Sequence, residues 1–202
     1  MTRHLKTCVA PMRQFPEGKE NGGFHLLVEG FSMRDYWLHV AVSSSCTLNG
    51  LDAFLRNIWL ECCGHLSKFE FPNSSRIRDF KLDLKAAPDA ANSALADVLK
   101  PEMEFTYEYD FGSTTKLSLK VLDTCPVGKG EIQLLARNEA PATACGTCGQ
   151  PANSVCTLCS YDEQGWLCET CASKHECGEE MLLPVTNSPR CGVCAYMGDM
   201  YS

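Results

Sequence analysis

The feature that most constrains this chain is a cysteine-rich stretch between residues 145 and 194, which holds nine of the fourteen cysteines. Eight of the nine form Cys-x-x-Cys pairs, in which two sulfurs three positions apart can face one centre. Two such pairs supply the four donors of a tetrahedral zinc site, with Zn–S near ~2.3 Å. The pairs are Cys145/Cys148 (first), Cys156/Cys159 (second), Cys168/Cys171 (third) and Cys191/Cys194 (fourth), with His175 and Cys177 between the last two.

Two ways of sharing these donors between two zinc ions fit the spacing. In the cross-braced arrangement, which we favour, the first and third pairs bind one ion. The second pair then binds the other ion with His175 and one later cysteine. The short spacer before the third pair, with Asp162, Gly165 and Trp166, is typical of a hairpin that returns the third pair to the first. In the sequential arrangement, the first two pairs share one ion, and the third pair shares the other with downstream donors. Three cysteines compete for the eighth position of the cross-braced arrangement: Cys177, Cys191 and Cys194.

Zinc held by four protein donors has no position for a reacting water, so we expect structural zinc that contributes to folding and no catalytic residues. A disulfide framework is the alternative that an even cysteine count permits. The opening residues MTRHLKTCVAPMRQFPEG are mixed and polar, without an apolar signal segment. Repeated Cys-x-x-Cys in a chain that is not secreted favours metal. The predicted ligands are Cys145, Cys148, Cys156, Cys159, Cys168, Cys171, His175, Cys177 and Cys194.

Composition and charge limit the compartment and the partners. Hydrophobic residues make up 45% and charged residues 21% of the chain, and no run approaches the ~20 apolar residues of a membrane span. This predicts a cytoplasmic protein, in which thiols stay reduced and available to metal. The net charge is −7, and Lys174 and Arg190 are the basic residues of 141–202. Nucleic-acid binding through the cysteine-rich stretch is therefore disfavoured.

The sequence divides into a loosely ordered lead-in at 1–23, an α+β domain at 24–140 and a zinc-binding module at 141–202. Alternation of apolar and polar residues predicts most of the strands of the α+β domain. The residues 139–144, EAPATA, read as the linker to the module. The predicted strands are 24–30, 35–42, 65–71, a short one near 79–84, 105–112, 114–123 and 131–138, and a helix is predicted at 86–101.

A longer helix is predicted from Thr47, whose hydroxyl can accept from a free amide of the first turn, to about Cys62. Gly64 is expected to end it. Cys62 and Cys63 are interpreted as structural thiols, and His65 as a cap of the helix end. Asp110 is interpreted as a turn residue. The apolar face comprises Leu48, Leu51, Phe54, Leu55, Ile58, Trp59 and Cys62, whereas Arg56, Asn57 and Glu61 face away.

Two blocks carry a family resemblance: WLHVAVSSSCTLNGLDAFLRNIWLECCGHLSKFEF at 37–71 and FTYEYDFGSTTKLSLKVL at 105–122. They resemble the plasmid pRiA4b ORF-3-like family over about 35–138. The resemblance implies an α+β fold, an antiparallel sheet with helices packed on one side, and no established activity. Ser113 stands where that family has an acid, and the cysteine module lies outside the family's core. The ending LLPVTNSPRCGVCAYMGD is similar to zinc-bearing members, which favours Cys194 over Cys191 as the last donor.

The function predicted from the sequence is a zinc-binding adaptor or interaction protein, with structural zinc, a protein partner and no membrane. One alternative is a nucleic-acid-associated protein of mobile-element origin, and a metal-dependent hydrolase is another. The hydrolase requires a three-ligand zinc with a water. The candidate contacts for a protein partner are Glu176, Glu179, Glu180, Leu182 and Leu183, and those for nucleic acid are Arg76, Arg78, Lys81 and Lys85.

Overall fold

The fold is an α+β arrangement built on a seven-stranded antiparallel sheet. A computed structural model describes residues 21–72, 81–83, 88–128, 130–160 and 163–198. The seven strands are β1 (Asn21–Gly30), β2 (Trp37–Ser43), β3 (Ser67–Glu70), β4 (Lys81–Asp83), β5 (Glu104–Tyr109), β6 (Thr115–Val127) and β7 (Ile132–Arg137). Their order across the sheet is β4-β3-β5-β6-β1-β2-β7.

One face of this sheet forms the hydrophobic core, because buried and less buried residues alternate along its strands. Along β6, Leu117, Leu119 and Val121 are wholly buried, and the residues between them are less buried. Helix α1 (Leu48–Leu55) packs its apolar stripe on the same core. The Thr47 hydroxyl accepts from the amide of Gly50, as predicted for the helix start. The predicted α+β class, with an antiparallel sheet and helices, is confirmed.

The end of the long helix differs from the prediction, because a wide π-helical turn, Arg56–Leu60, follows α1. The amide of Glu61 donates to the carbonyl of Arg56 at 2.8 Å, five positions back. The wider turn rotates the chain, so that Ile58, Trp59 and Leu60 are buried in succession. Leu60 lies outside the predicted stripe for this reason. Arg56, predicted to face away, instead pairs with Asp52 at 2.7 Å.

Two further predictions needed correction. The helix predicted at 86–101 is two short helices in its described part, α2 (Pro88–Ala91) and α3 (Leu95–Val98), with Leu95 and Leu99 reaching the core. The strand predicted at 65–71 is shorter, because β3 spans Ser67–Glu70; it buries Ser67 and Phe69, whereas Leu66 is 38% exposed. Of the lead-in, residues 1–20 lie outside the described part, and residues 21–23 belong to β1.

The cysteine-rich stretch forms a second, smaller unit. Its three-stranded antiparallel sheet has the order β10-β8-β9, where β8 is Ser154–Cys156, β9 is Trp166–Leu167 and β10 is Leu182–Pro184. A short helix, α4 (Glu169–Ala172), follows β9. The pairing of β8 with β9 is the hairpin that the spacer predicted. Within the described residues, no helix has the length and apolar character that crossing a membrane requires.

After β10, the chain returns to the large sheet. The Ser188 hydroxyl donates to the carbonyl of Trp59 at 2.6 Å, at the end of the π-helical turn. Asn187 exchanges hydrogen bonds with Asn138, which follows β7. Arg190 is wholly buried and reaches the hairpin between β5 and β6. Residues 185–198 are therefore fastened to the large sheet by buried polar contacts, and this stretch is called the C-terminal segment below.

Candidate metal centres

The first and third cysteine pairs meet in one group, here called site A: Cys145, Cys148, Cys168 and Cys171. The turn of the first pair is closed by the amide of Gly149, which donates to the carbonyl of Cys145 at 2.8 Å. Gly149 adopts a φ of 75°, which favours glycine. Cys168 precedes α4, and Cys171 lies within it. The β8–β9 hairpin therefore carries the third pair back to the first.

The second pair forms another group, here called site B, which consists of Cys156, Cys159, His175 and Cys177. Cys156 ends β8 and Cys159 closes the following turn, with its amide donating to the Cys156 carbonyl at 3.2 Å. His175 and Cys177 come from the turn after α4. The Sγ of Cys159 lies 3.7 Å from the Nε2 of His175 and 3.7 Å from the Sγ of Cys177.

These sulfur separations fit a shared metal ion and not a disulfide. A tetrahedral ion with Zn–S near ~2.3 Å separates its sulfurs by about 3.8 Å, whereas a disulfide holds them at about 2.05 Å. In site A, the sulfurs of Cys148 and Cys168 lie 3.6 Å apart. Every cysteine in the described part of the chain is a free thiol. The four donor atoms of each group lie within 4.8 Å of one another, which is compatible with one ion per group.

The thiols of each site influence one another's ionisation. In site B, contact with Cys177 raises the pKa of Cys159 to about 11. Burial also opposes ionisation of Cys156, yet hydrogen bonds from the backbone of Cys159 and from His175 lower the pKa of Cys156 to about 7. In site A, contact with Cys148 raises the pKa of Cys171 to about 12. One thiolate in a group therefore hinders the next, and a bound divalent cation would remove that repulsion.

The core between the two sites is small. Its buried members are Cys145, Cys156 and Leu167, and the half-buried side chains around them are four further cysteines with Ala172, Met181 and Leu182. In this cluster, Leu167 is the buried apolar side chain that is not also a metal donor. So little apolar surface gives a weak driving force for folding, and metal coordination is the usual remedy in small modules.

The structure places the predicted ligands as follows. The grouping is that of the cross-braced arrangement, and the sequential one would require the first and second pairs to meet. Of the three cysteines considered for the last position, Cys177 lies with site B. The Sγ of Cys191 lies near the amide of Thr186, at 3.3 Å. Cys194, favoured over Cys191 by the resemblance, lies instead at the large sheet, where its Sγ is 3.5 Å from the Nε2 of His65.

A third group of donors was missed by the sequence analysis. Cys62, Cys63, His65 and Cys194, here called site C, also have their donor atoms within 4.8 Å of one another. The sequence analysis interpreted the two cysteines as structural thiols and His65 as a cap. The spacing Cys-Cys-x-His directly after a helix was the available signal. Its fourth donor lies more than a hundred residues later, so local spacing alone does not complete the group.

The structure also locates the residues predicted to contact a protein partner or nucleic acid. Glu176, Glu179 and Glu180 are exposed, whereas Leu182 and Leu183 lie half-buried in β10. Arg76, Arg78 and Lys85 lie outside the described residues, and Lys81 lies in β4. The lysines Lys68, Lys116 and Lys120 pair with glutamates of the same sheet.

Comparison with known proteins places the fold in a family. A family model described as "Plasmid pRiA4b ORF-3-like protein" matches residues 30–162. The chain belongs to this family. The match confirms the resemblance seen in the sequence at about 35–138, and it extends further. It includes the first and second cysteine pairs, although the sequence analysis placed the cysteine module outside the family's core.

A solved structure shares the fold of this ORF-3-like protein. It is the crystal structure of a protein of unknown function, MM3350, from Methanosarcina mazei Go1. The two are 19% identical in sequence and superpose with a TM-score of 0.50, over 57% of this chain and 69% of that chain. At this identity the likeness concerns the fold alone. No curated protein matches the chain.

Proposed function

We propose that this protein is a zinc-binding interaction protein, in which sites A and B each bind one structural zinc ion. The observation that carries the proposal is the interleaving of two four-donor groups around a core with little apolar content. Because the third pair belongs to site A and its neighbours His175 and Cys177 to site B, losing either ion would free the segment 168–177 that both sites share. Zinc would then hold the module's shape rather than act on a substrate.

The donor chemistry supports zinc. Site A offers four thiolates, and site B offers three thiolates and an imidazole. Soft sulfur donors in tetrahedral sets select zinc over hard cations such as magnesium and calcium. A four-donor set also leaves no position for an activated water, which argues against the hydrolase alternative. The abundance of free thiols suits the reducing cytoplasm, where we place the protein.

A protein partner is favoured over nucleic acid by charge and by one exposed side chain. The net charge is −7, and Lys68, Lys116 and Lys120 of the sheet pair with glutamates. Leu158 lies between the two cysteines of the second pair, and it is 65% exposed. The amide of Thr157 donates to the carbonyl of Met181, which brings this turn close to the exposed Glu179 and Glu180. We assign the partner contact to this combination of an apolar tip and an acidic run.

The first experiment is metal analysis of the purified full chain. We expect zinc by elemental mass spectrometry, and X-ray absorption at the zinc edge should show four sulfur or nitrogen neighbours per ion. Oxygen neighbours at a catalytic-type open position would contradict the structural role. A folded chain that carries no zinc would contradict the whole proposal.

The second experiment concerns the partner. Leu158→Ser should keep the zinc content and remove crosslinks between the full chain and its partner in cells. Leu134→Ser is the matched control, because Leu134 is also an exposed leucine (40%) but lies on the large sheet. The partner assignment fails if Leu158→Ser crosslinks as the unsubstituted protein does, or if both variants lose the partner equally.

A further inference from the structure

Site C has the geometry of a metal site built from two distant parts of the chain. Cys62 and Cys63 follow the π-helical turn, and His65 follows Gly64, whose φ of 69° reverses the backbone. Cys194 arrives from the C-terminal segment. Its Sγ lies 3.7 Å from the Sγ of Cys63, which is close to the ~3.8 Å of sulfurs that share a tetrahedral zinc ion.

The surroundings of site C orient its donors. The Nε2 of His65 faces the Sγ of Cys194, and the Nδ1 of the same ring lies 3.7 Å from Oδ1 of Asp110. At this distance the carboxylate makes no direct hydrogen bond to the ring, and it places a negative charge behind the histidine. On the other side, the wholly buried Arg190 directs Nη2 to the Sγ of Cys62 at 3.4 Å and to Asp110 at 2.7 Å.

The backbone of the 62–65 turn is also held in place. The hydroxyl of Tyr109 accepts from the amides of Cys62 and His65, at 3.4 Å and 3.3 Å. The same hydroxyl donates to Oε1 of Glu61 at 3.0 Å. Tyr109 and Asp110, which end β5 and begin the hairpin, therefore position both the donors of site C and the charges around them.

We propose that site C is a third zinc site, with Cys62, Cys63, His65 and Cys194 as its ligands. Three thiolates and one imidazole form a closed tetrahedral set, which is typical of structural zinc. The ion fastens the C-terminal segment to the end of the long helix. This zinc site does not depend on sites A and B, because it shares no ligand with them. The rival interpretation is a pair of exposed free thiols, Cys63 and Cys194, that oxidise to a disulfide.

The experiment is zinc counting on the full chain and on two variants of its C-terminal segment. We expect about three zinc ions in the unsubstituted chain and one fewer in Cys194→Ser, since four donors hold each ion. Cys191→Ser is the matched control. It removes a thiol of the same segment that lies outside all three groups, so it should keep the full count. Cys63→Ser removes a ligand that the other part of the chain contributes, and it should also lower the zinc count by one.

Alkylation followed by mass spectrometry gives a second readout that does not depend on the count. In the zinc-loaded chain, Cys63 and Cys194 should react slowly although both are exposed, and zinc removal should increase their reactivity at least about tenfold. The inference is overturned if the unsubstituted chain holds only the zinc of sites A and B. It is also overturned if Cys194→Ser keeps the full count, or if a Cys63–Cys194 disulfide forms in the zinc-loaded chain. If sites A and B of the unsubstituted chain hold no zinc, that result contradicts the proposed function instead.

Discussion

The guanidinium of Arg190 and the carboxylate of Asp110 form an ion pair of 2.7 Å that joins the C-terminal segment to the hairpin between β5 and β6. Arg190 also donates to the hydroxyl of Thr115 and to the carbonyl of Ser113, both at 3.0 Å. The pair lowers the pKa of Asp110, although burial alone would raise it. One arginine therefore satisfies several buried acceptors of the large sheet.

Replacing this arginine should destabilise the protein strongly. Arg190→Met leaves the buried Asp110 without its cation, and breaking a buried pair in this way costs about 3 kcal/mol or more. Urea unfolding at neutral pH would measure the loss, and adding Asp110→Asn to the same variant should recover part of it. Lys120→Ala is the control, because Lys120 and Glu104 form an exposed pair that should contribute little. Equal effects of Arg190→Met and Lys120→Ala would contradict the prediction.

A buried histidine pair should make stability depend on pH. The Nε2 of His25 lies 2.9 Å from the Nδ1 of His39. Burial, and then repulsion from His25, lowers the pKa of His39 to about 4, against about 6.5 for an unfolded histidine. Because the folded pKa is the lower one, the contribution of neutral His39 is complete above about pH 6.5, and it is lost as the pH falls towards 4.

His39→Gln keeps a polar side chain at this position and removes the titration. We expect its free energy of unfolding to fall less steeply than that of the unsubstituted protein between pH 6.5 and 4, by up to about 3 kcal/mol in total. If sites A and B hold zinc as proposed, its release in acid would affect both proteins alike, so the difference between their curves reports on His39. Parallel curves over this range would show that His39 does not titrate as described.

Glycine at position 165 is required by a close backbone approach in the cysteine-rich unit. A Cβ at this position would collide with the backbone carbonyl of Cys159, a residue of site B. Gly165→Ala should therefore displace the second pair, cost about 2 kcal/mol or more, and weaken zinc binding. The comparison is Gly128→Ala, whose Cβ would meet its nearest atom, the Oε1 of Gln133, at 3.7 Å. Competition with a chromogenic chelator would measure the zinc affinity of each variant. Equal zinc affinities would show that the close approach is unimportant.

Metal removal should act on the two parts of the chain differently. The small module has little apolar core, whereas the large sheet buries an extended one. After treatment with a zinc chelator, we expect proteases to cut within 145–184 at least about tenfold faster, with the large sheet still resistant. Peptide mapping by mass spectrometry would locate the cuts. Resistance of the module after complete zinc removal would mean that apolar packing alone maintains it.

The sequence predicted those features that depend on local patterns. Alternation located the strands of the large sheet, the Thr47 hydroxyl marked the start of α1, and the cysteine spacing predicted which cysteines come together in site A. The hairpin after Ser160 was also predictable, since the spacer is too short for another connection. The residues that determine each of these features lie close in the sequence, at most about one β-hairpin apart.

The features that sequence analysis missed depend on contacts between distant residues. The π-helical turn is favoured by packing of Trp59 and Leu60 on the sheet, which no helical periodicity encodes. The fourth donor of site C comes from the C-terminal segment, and the spacing of the fourth pair suggested a role in the zinc module instead. Arg190 was read as one of two basic residues in an acidic region, because its burial arises only when the segment crosses to the hairpin.

The long sequence separation of Asp110 and Arg190 has a consequence for the order of events during synthesis. All seven strands of the large sheet leave the ribosome before residue 190 is translated. During that interval, Asp110 lacks its counterion and Thr115 lacks the guanidinium that contacts it. A nascent chain therefore assembles its sheet in a weakened form, and the sheet gains its full resistance to unfolding only when the later segment docks.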